Sequence, residues 1–541
     1  MYIQRVRRIQ NGKTYESVLL RESVRTPKGP RARTVLHLNR MPPELQSAII
    51  AAVEGKEMVA LPDLEVSAVL NYGGLAVLRE AWERFGLERL FASIPEERQR
   101  KLLLAMIFGR ILFPSSKLAL REKAVGSLLA RSCGLEQDEA FDEEDLYGAM
   151  DALDGRWSGI ERWLYREAFP GGVSLVLYDL TSVYFEGDGP KGLARYGYSR
   201  DHRQDRQQVL LAVATDLEGI PLHVEVLRGN RSDSTTLTGL LVNLRRRLRI
   251  REATFVFDGG MKSRWNLEML TGLELQYVTR ANQSKLRELV KLLPRDSQPE
   301  LWDKTRLLEI EQDGVGYVIA GGEERAFRDA NRRKRRVARG EEELKALAES
   351  LPKGIDPVQL GSRVGRRLER LKAHKYFLYG IDGTGRFFWK RNEEAIRQEA
   401  SLDGWYLLET NLPVQKAAPE TVLRHYKGLA AVESAFSDLK SSLEVRPVYH
   451  WRPDRVRNHV RICFLAYWLT AKLSQEWKKL GVTEDVRRIL QQLQSIRVGT
   501  LYAAGKDLGK RLAHIPKPLE SWIDRLGIRS LFRNPPAWAT A

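Results

Sequence analysis

Five short apolar runs between residues 173 and 282 constrain this chain more than any other feature. They are "VSLVLYDLT", "QVLLAVATD", "IPLHVEVL", "ATFVFDGG" and "LQYVTRAN". Each is rich in Val, Leu, Ile or Phe and too short for a typical helix. The second and third are joined by a turn signal. The fourth follows the helical segment "STTLTGLLVNLRRRLRI", and the fifth follows "KSRWNLEMLTGL". Three strands, a helix, a strand, a helix and a strand predict a mixed α/β sheet.

The flanks differ in character. Residues 1–40 hold ten Lys/Arg and two Glu, and they read as two short strands joined by a Pro/Gly turn at Thr26–Pro30. From about Pro42 to Phe169 the apolar spacing turns helical, as in "RKLLLAMIFGRILF". Residues 283–402 place two β-type stretches, "KTRLLEIEQDGVGYVIAG" and "KYFLYGIDGTGRFFWKR", around the charged run "RDANRRKRRVARGEEELKALAESL". That run reads as a solvated helix face laced by i,i+4 ion pairs, with a DNA-facing surface as the second reading. The apolar stretch "GWYLLETNL" follows, and the tail from about 455 is read as helical. The expected division is therefore 1–40, 41–170, 171–282, 283–402, 403–455 and 456–541.

Charge narrows the partners. The 541 residues carry 88 Lys+Arg against 70 Asp+Glu, a net charge of +18, while hydrophobic residues make up 43%. A globular chain with that excess favours a polyanion, and nucleic acid is the first candidate. The two cysteines, Cys133 and Cys463, exclude a disulfide framework and a Cys-based zinc site. The N-terminus lacks a signal-peptide core, and the longest apolar run, "ICFLAYWLTA", is too short to span a bilayer. No membrane association and a cytoplasmic location are expected.

Asp179 and Asp258 each follow an apolar run, in "LVLYDLT" and "FVFDGG". Such residues are commonly turn formers or caps, yet functional crevices also gather near the carboxyl ends of strands. A third carboxylate stands out in "YKGLAAVESAFSDLK", where Tyr426, Glu433 and Lys440 are spaced by seven and share one helix stripe. At i±3 and i±4, Glu433 finds only Leu429, Ala430, Phe436 and Ser437, so no intrahelical cation serves it. The apolar surroundings place it at the edge of the core, where a carboxylate needs a partner. Three carboxylates without a thiolate suit Mg²⁺ or Mn²⁺. Two such ions can hold a phosphodiester and stabilise its attacking and leaving oxygens. Lys440 could then meet a phosphate, and Tyr426 the neighbouring strand.

These residues resemble a family. "YKGLAAVESAFSDLK" is similar to the Tyr-x2-Arg-x3-Glu-x6-Lys signature of bacterial insertion-sequence transposases of the DDE type, the IS4/IS1634-like group, with Tyr426, Glu433 and Lys440 on its fixed positions. "LVLYDLTSVYFEG" resembles the segment of the first catalytic Asp, and "FVFDGGMKSRWNLEML" that of the second. The stretch ending in Gly229–Asp233 and "VYHWRPDRVRNHVRICFLAYWL" extend the likeness over most of the chain.

The resemblance implies a ribonuclease H-like core split by a β-rich insertion, behind a basic β-hairpin and a helical N-terminal region. It implies cut-and-paste transposition with Asp179, Asp258 and Glu433 binding two Mg²⁺ or Mn²⁺ ions. It also implies double-stranded DNA partners (terminal inverted repeats and target), a homodimer at synapsis and a place at a prokaryotic nucleoid. Arg5, Arg7, Arg8, Arg31 and Arg33 form a candidate backbone-binding patch, though a charged edge hairpin would look the same. Two departures stand out: Leu429 occupies the signature's Arg position, and Gly259 replaces the usual Arg after the second Asp. A non-catalytic or domesticated derivative is the alternative reading. A tyrosine recombinase using Tyr426 lacks the surrounding Arg/His set.

Overall fold

The apolar runs pair into one sheet. In the computed structural model, which describes residues 1–10, 13–56, 64–135, 141–292, 307–350, 355–413, 417–503 and 506–540, its strands are β1 (Leu175–Tyr184), β2 (Gln208–Thr215), β3 (Pro221–Arg228), β4 (Thr254–Phe257), β5 (Gln276–Arg280), β6 (Leu308–Gln312), β7 (Val315–Ala320) and β8 (Tyr406–Thr410). Their spatial order is β6-β7-β8-β5-β4-β1-β2-β3. β1, β2 and β3 form an antiparallel meander, whereas β4 lies parallel to β1 and β5 parallel to β4. The parallel steps need crossovers, and the helices Leu237–Asn243 and Arg264–Gly272 supply them.

The alternation of side chains decides which face becomes chemical. Val176, Tyr178 and Leu180 of β1 enter a core with Phe255 and Phe257 of β4 and with Leu237, Leu240 and Leu241 of the first crossover helix. Each such buried side chain contributes about 1.5–3 kcal/mol, so the register is strongly specified. The intervening residues, Asp179 included, consequently face the other side, where helix Leu429–Ser437 packs on β1 and β2.

The insertion differs from the β-rich body expected. Its hairpin β6–β7 joins the main sheet through β8, with Val318 opposite Leu408. Beyond it come a 28-residue helix, Glu323–Ser350, a second helix, Pro357–Arg370, and a strand pair, Phe377–Ile381 with Phe387–Arg391. These close their own core around Leu344, Val364, Leu368 and Tyr376. The long helix carries the charged run read as helical, with only four of its residues buried, whereas the second helix was not anticipated. Lys304–Arg306, the start of the first expected β-stretch, lie outside the described residues. Trp405 is a core residue, packed with Leu407 and Ile319.

The chain divides into two compact units, Leu78–Lys123 with Leu135–Ile489, and Met1–Val77 with Ala124–Gly134 and Leu490–Ala541. The first contains the large sheet, the insertion and the helices Glu97–Leu112, Glu143–Asp151 and Trp157–Ala168. The helix Glu97–Leu112 packs against Glu143–Asp151 and against the long helix Pro453–Lys479. The second unit opens with three antiparallel strands, Tyr2–Gln10, Lys13–Thr26 and Gly29–His37, where a two-stranded hairpin was expected. The expected turn between the last two is present at Thr26–Gly29; the extra strand is "YIQRVRRIQ", whose charges mask its alternation. A further sheet joins Leu64–Asn71 to Arg497–Ala503 and Lys506–Leu512. Regions read as uniformly helical therefore contain strands, of which Leu64–Asn71 has its partner far away in sequence. Among the described residues no single helix is long and apolar enough to cross a membrane.

Candidate active site

Asp179 and Asp258 are brought together by strand register. Tyr178 of β1 pairs with Phe257 of β4, so the next residue on each chain is an aspartate on the same face of neighbouring parallel strands. Asp179 lies within β1 rather than at its end, because β1 continues against β2 to Tyr184. It is the one half-buried position in the buried stretch from Leu175 to Val183. Asp258 lies beyond the end of β4, exposed, and caps the short turn Gly259–Met261 by accepting from the Gly260 N–H at 3.4 Å. It is thus both a cap and a candidate ligand.

Glu433 comes from the opposite wall. Among the described residues it forms no hydrogen bond or ion pair, as its neighbours in sequence led one to expect. It is nevertheless exposed, so burial at the core edge is not what calls for a partner. The helix is also not one stripe. It is interrupted at Gly428, giving Pro419–Lys427 and Leu429–Ser437, and widens into a π turn at Asp438–Ser442.

Asp179, Asp258 and Glu433 line one cavity of about 630 Å³. Burial lifts the Asp179 carboxyl to about 6; the Leu180 N–H and the Arg200 charge oppose this, while Asp258 and Glu433 add to it. Mutual repulsion of this kind is what a shared cation relieves. The donor set is oxygen only, which suits a hard divalent ion. Among the described residues no three Asp, Glu, His or Cys side chains are drawn close enough to hold an ion as they stand. Closing the set requires these side chains to draw together, while Asp258 keeps a contact with Tyr426.

That contact is long, 3.4 Å from the Tyr426 hydroxyl to Asp258 Oδ1. Burial and the Asp258 charge raise the phenol well above its usual range, which makes Tyr426 a poor nucleophile. Its ring packs 6.1 Å from that of Tyr406. Lys440 does not line the cavity. It donates to Asp201 at 2.7 Å, the same carboxylate that Arg446 meets at 2.7 Å, with side-chain exposures of 10% for Lys440 and 4% for Asp201. Burial lowers the lysine's proton affinity and Asp201 restores part of it.

The five N-terminal arginines are all exposed. By register Arg5 and Arg7 lie opposite Val18 and Glu16, and Arg31 and Arg33 opposite Val24 and Glu22, so these four share one face; Arg8, opposite Tyr15, points to the other. Glu16 lies 3.9 Å from Arg5 and 3.7 Å from Arg7, and Glu22 engages Arg33.

Several cavity residues escaped sequence reasoning. Arg200, Asp233, Arg325 and Arg328 all line it. Arg200 donates to Asp233 at 2.6 Å. Arg325, from the start of the insertion's long helix, stands over the Tyr406 ring at 4.8 Å. Burial and the neighbouring Arg280 charge pull its guanidinium below its ordinary value. Arg200, Arg325 and Arg328 thus put cations in the wall of a cavity where Leu429 and Gly259 offer none. Gly259 has a steric reason as well: a Cβ there would lie 2.8 Å from the Arg280 carbonyl oxygen. Asp233 was within reach of sequence reading, since it closes the Gly229–Asp233 stretch; Arg325 was not, because only the fold brings it to the cavity.

Residues 171–469 match the family model of the transposase DDE domain, more than half of the chain. The chain belongs to the DDE transposases. Residues 3–60 match the IS1634 family transposase N-terminal domain, which places this transposase among those of insertion sequences. No curated protein matches it. DDE transposases act on DNA and generally depend on a divalent metal.

Proposed function

We propose that this transposase moves an insertion sequence by cut-and-paste, with Asp179, Asp258 and Glu433 as the catalytic carboxylates. The observation that carries the reading is their common cavity: two from adjacent parallel strands and one from the helix packed over them. The strand order β3-β2-β1-β4-β5 supports a ribonuclease H-like core. The three carboxylates would hold two Mg²⁺ or Mn²⁺ ions, which when bound supply Lewis-acid stabilisation at both reacting oxygens of a phosphodiester.

The chain's own residues bind and position. Arg200, Arg325 and Arg328 offer charge to the phosphates flanking the reacting one. Tyr426, held against Tyr406, orients Asp258 through its hydroxyl and presents its ring edge to the strand. Lys440 acts in the free protein on Asp201, which anchors the loop carrying Arg200; a phosphate contact by Lys440 requires that pair to open. Arg5, Arg7, Arg31 and Arg33 supply one basic face for duplex DNA, and Arg8 a contact on the other. Terminal inverted repeats, target DNA and a second copy of the chain at synapsis are the proposed partners.

The three arginines lining the cavity serve DNA binding under either reading, and the intact set of three carboxylates is what favours catalysis over a non-catalytic derivative. The test is nicking of supercoiled plasmid bearing the element's ends. Wild type should nick with Mg²⁺ and not with EDTA, Asp258→Asn and Glu433→Gln should lose roughly 10³-fold or more, and Tyr426→Phe should lose far less. Nicking by both carboxylate variants at the wild-type rate would refute the assignment, and a covalent protein–DNA adduct dependent on Tyr426 would favour a recombinase.

A further inference from the structure

The long insertion helix carries a row of arginines that the catalytic cavity does not account for. Arg328, Arg332, Arg335 and Arg339 are spaced four, three and four apart, one stripe of an α-helix, and all four are exposed. They line a trench of about 700 Å³ that Arg370 and Lys372 complete from the second insertion helix and its following turn. Among the described residues no carboxylate belongs to its wall.

The helix does not neutralise this row. Arg328 lies 3.9 Å from Glu324 and Arg332 lies 3.6 Å from Asp329, both long contacts. Arg335 and Arg339 make no ion pair among the described residues. Glu343, four residues beyond Arg339, is taken instead by Arg367 at 2.9 Å and Arg370 at 3.2 Å. Like charges at i,i+3 and i,i+4 destabilise a helix, so the row is costly without an anion. Ion pairing along the face, the simpler reading of the sequence, therefore covers only its first turns.

The trench adjoins the catalytic cavity at Arg328. Arg328 lines both, and a second basic cavity containing Arg280, Arg287 and Lys375 also shares Arg328 and Arg332. From Arg328 to Arg339 the helix rises roughly 16 Å, the axial length of roughly five base pairs. A ladder of that length outreaches any single phosphate group, and Phe327 sits exposed at its rim.

We propose that this trench holds the phosphate backbone of duplex DNA as it leaves the catalytic cavity, contacting roughly five base pairs without reading their sequence. The inference rests on the transposase reading, with DNA as the substrate, but not on the identity of the catalytic carboxylates. Two stretches of duplex could supply the phosphates: the element's interior or the flanking donor DNA.

The test is salt-dependent binding of full-length protein to a duplex bearing the element's end, extended stepwise on either side of the cleavage point. In R335A/R339A the slope of log K against log salt should fall by about 2, with affinity down roughly tenfold at about 0.1 M salt. R335K/R339K should keep the slope. Wild-type affinity should rise as duplex is added on one side and stop rising after about five base pairs; the side that responds identifies the source. An unchanged slope in R335A/R339A would overturn the proposal, as would equal losses in the lysine variant. If that happens while wild type still nicks with Mg²⁺, the trench assignment fails alone. A lost slope in a protein that never nicks would leave the trench in place and remove the catalytic reading.

Discussion

At the residue scale the decisive group is Asp179. Its carboxyl titrates near 6 against an ordinary 3.8, chiefly through burial. A folded-state value above the unfolded one means that ionised Asp179 costs stability. The cost is absent below about pH 4, grows as pH rises, and is complete above about pH 6. Asp179→Asn should therefore raise stability at pH 7.5 by roughly 1–2 kcal/mol, a figure discounted for the residue's partial exposure. Thermal melts at pH 7.5 and pH 4 check this, the gain vanishing at the lower pH. The same substitution should abolish nicking, a pairing of greater stability with lost activity that marks strain held for function. At sub-saturating metal, Mn²⁺ affinity should fall as pH drops through about 6, because the protonated acid cannot serve as a ligand.

At the scale of elements, the register between β1 and β4 sets the two aspartates side by side, and the turn after β4 keeps them there. Gly259 lets that turn pass against the Arg280 carbonyl of β5, where a Cβ would lie only 2.8 Å away. Gly259→Ala should cost roughly 1–3 kcal/mol, read by denaturant melts, and lower nicking by displacing Asp258. Gly259→Arg, which restores the residue usual in the family, should be worse than Gly259→Ala; higher activity would show that the turn has room to spare. The same elements show what the sequence could express. Short Val- and Phe-rich runs announce strands because burial on both faces demands them, and β1 to β5 were legible for that reason. The strand "YIQRVRRIQ" was missed because a charged surface carries little periodicity, whereas the charged run inside Glu323–Ser350 was legible as a helix. The break at Gly428 and the π turn after Ser437 were invisible, since a seven-residue spacing looks the same on a straight helix and a broken one.

At the scale of the whole molecule, the transposase distributes its charge rather than concentrating it. Acidic groups gather where β1, the end of β4 and the Glu433 helix meet, while the arginines approach from the insertion and from the loop at Arg200. The three proposed acids are nominated by local context because each sits in its own short motif. Their cationic complement is not, because Arg325 and Arg328 lie 67 and 70 residues beyond Asp258 in the chain and reach the cavity only through the fold. The cavity thus has arginines in its wall although positions 429 and 259 carry none.

The central claim is that Asp179, Asp258 and Glu433 form one divalent-ion site. Its most direct measurement is Mn²⁺ binding, followed by electron paramagnetic resonance, in the presence of uncleaved element-end duplex. The expected result is that Asp179→Asn, Asp258→Asn and Glu433→Gln each weaken binding by roughly tenfold or more while the folded protein still binds DNA. Wild-type Mn²⁺ affinity in Glu433→Gln, with the two aspartate variants impaired, would contradict a three-carboxylate site.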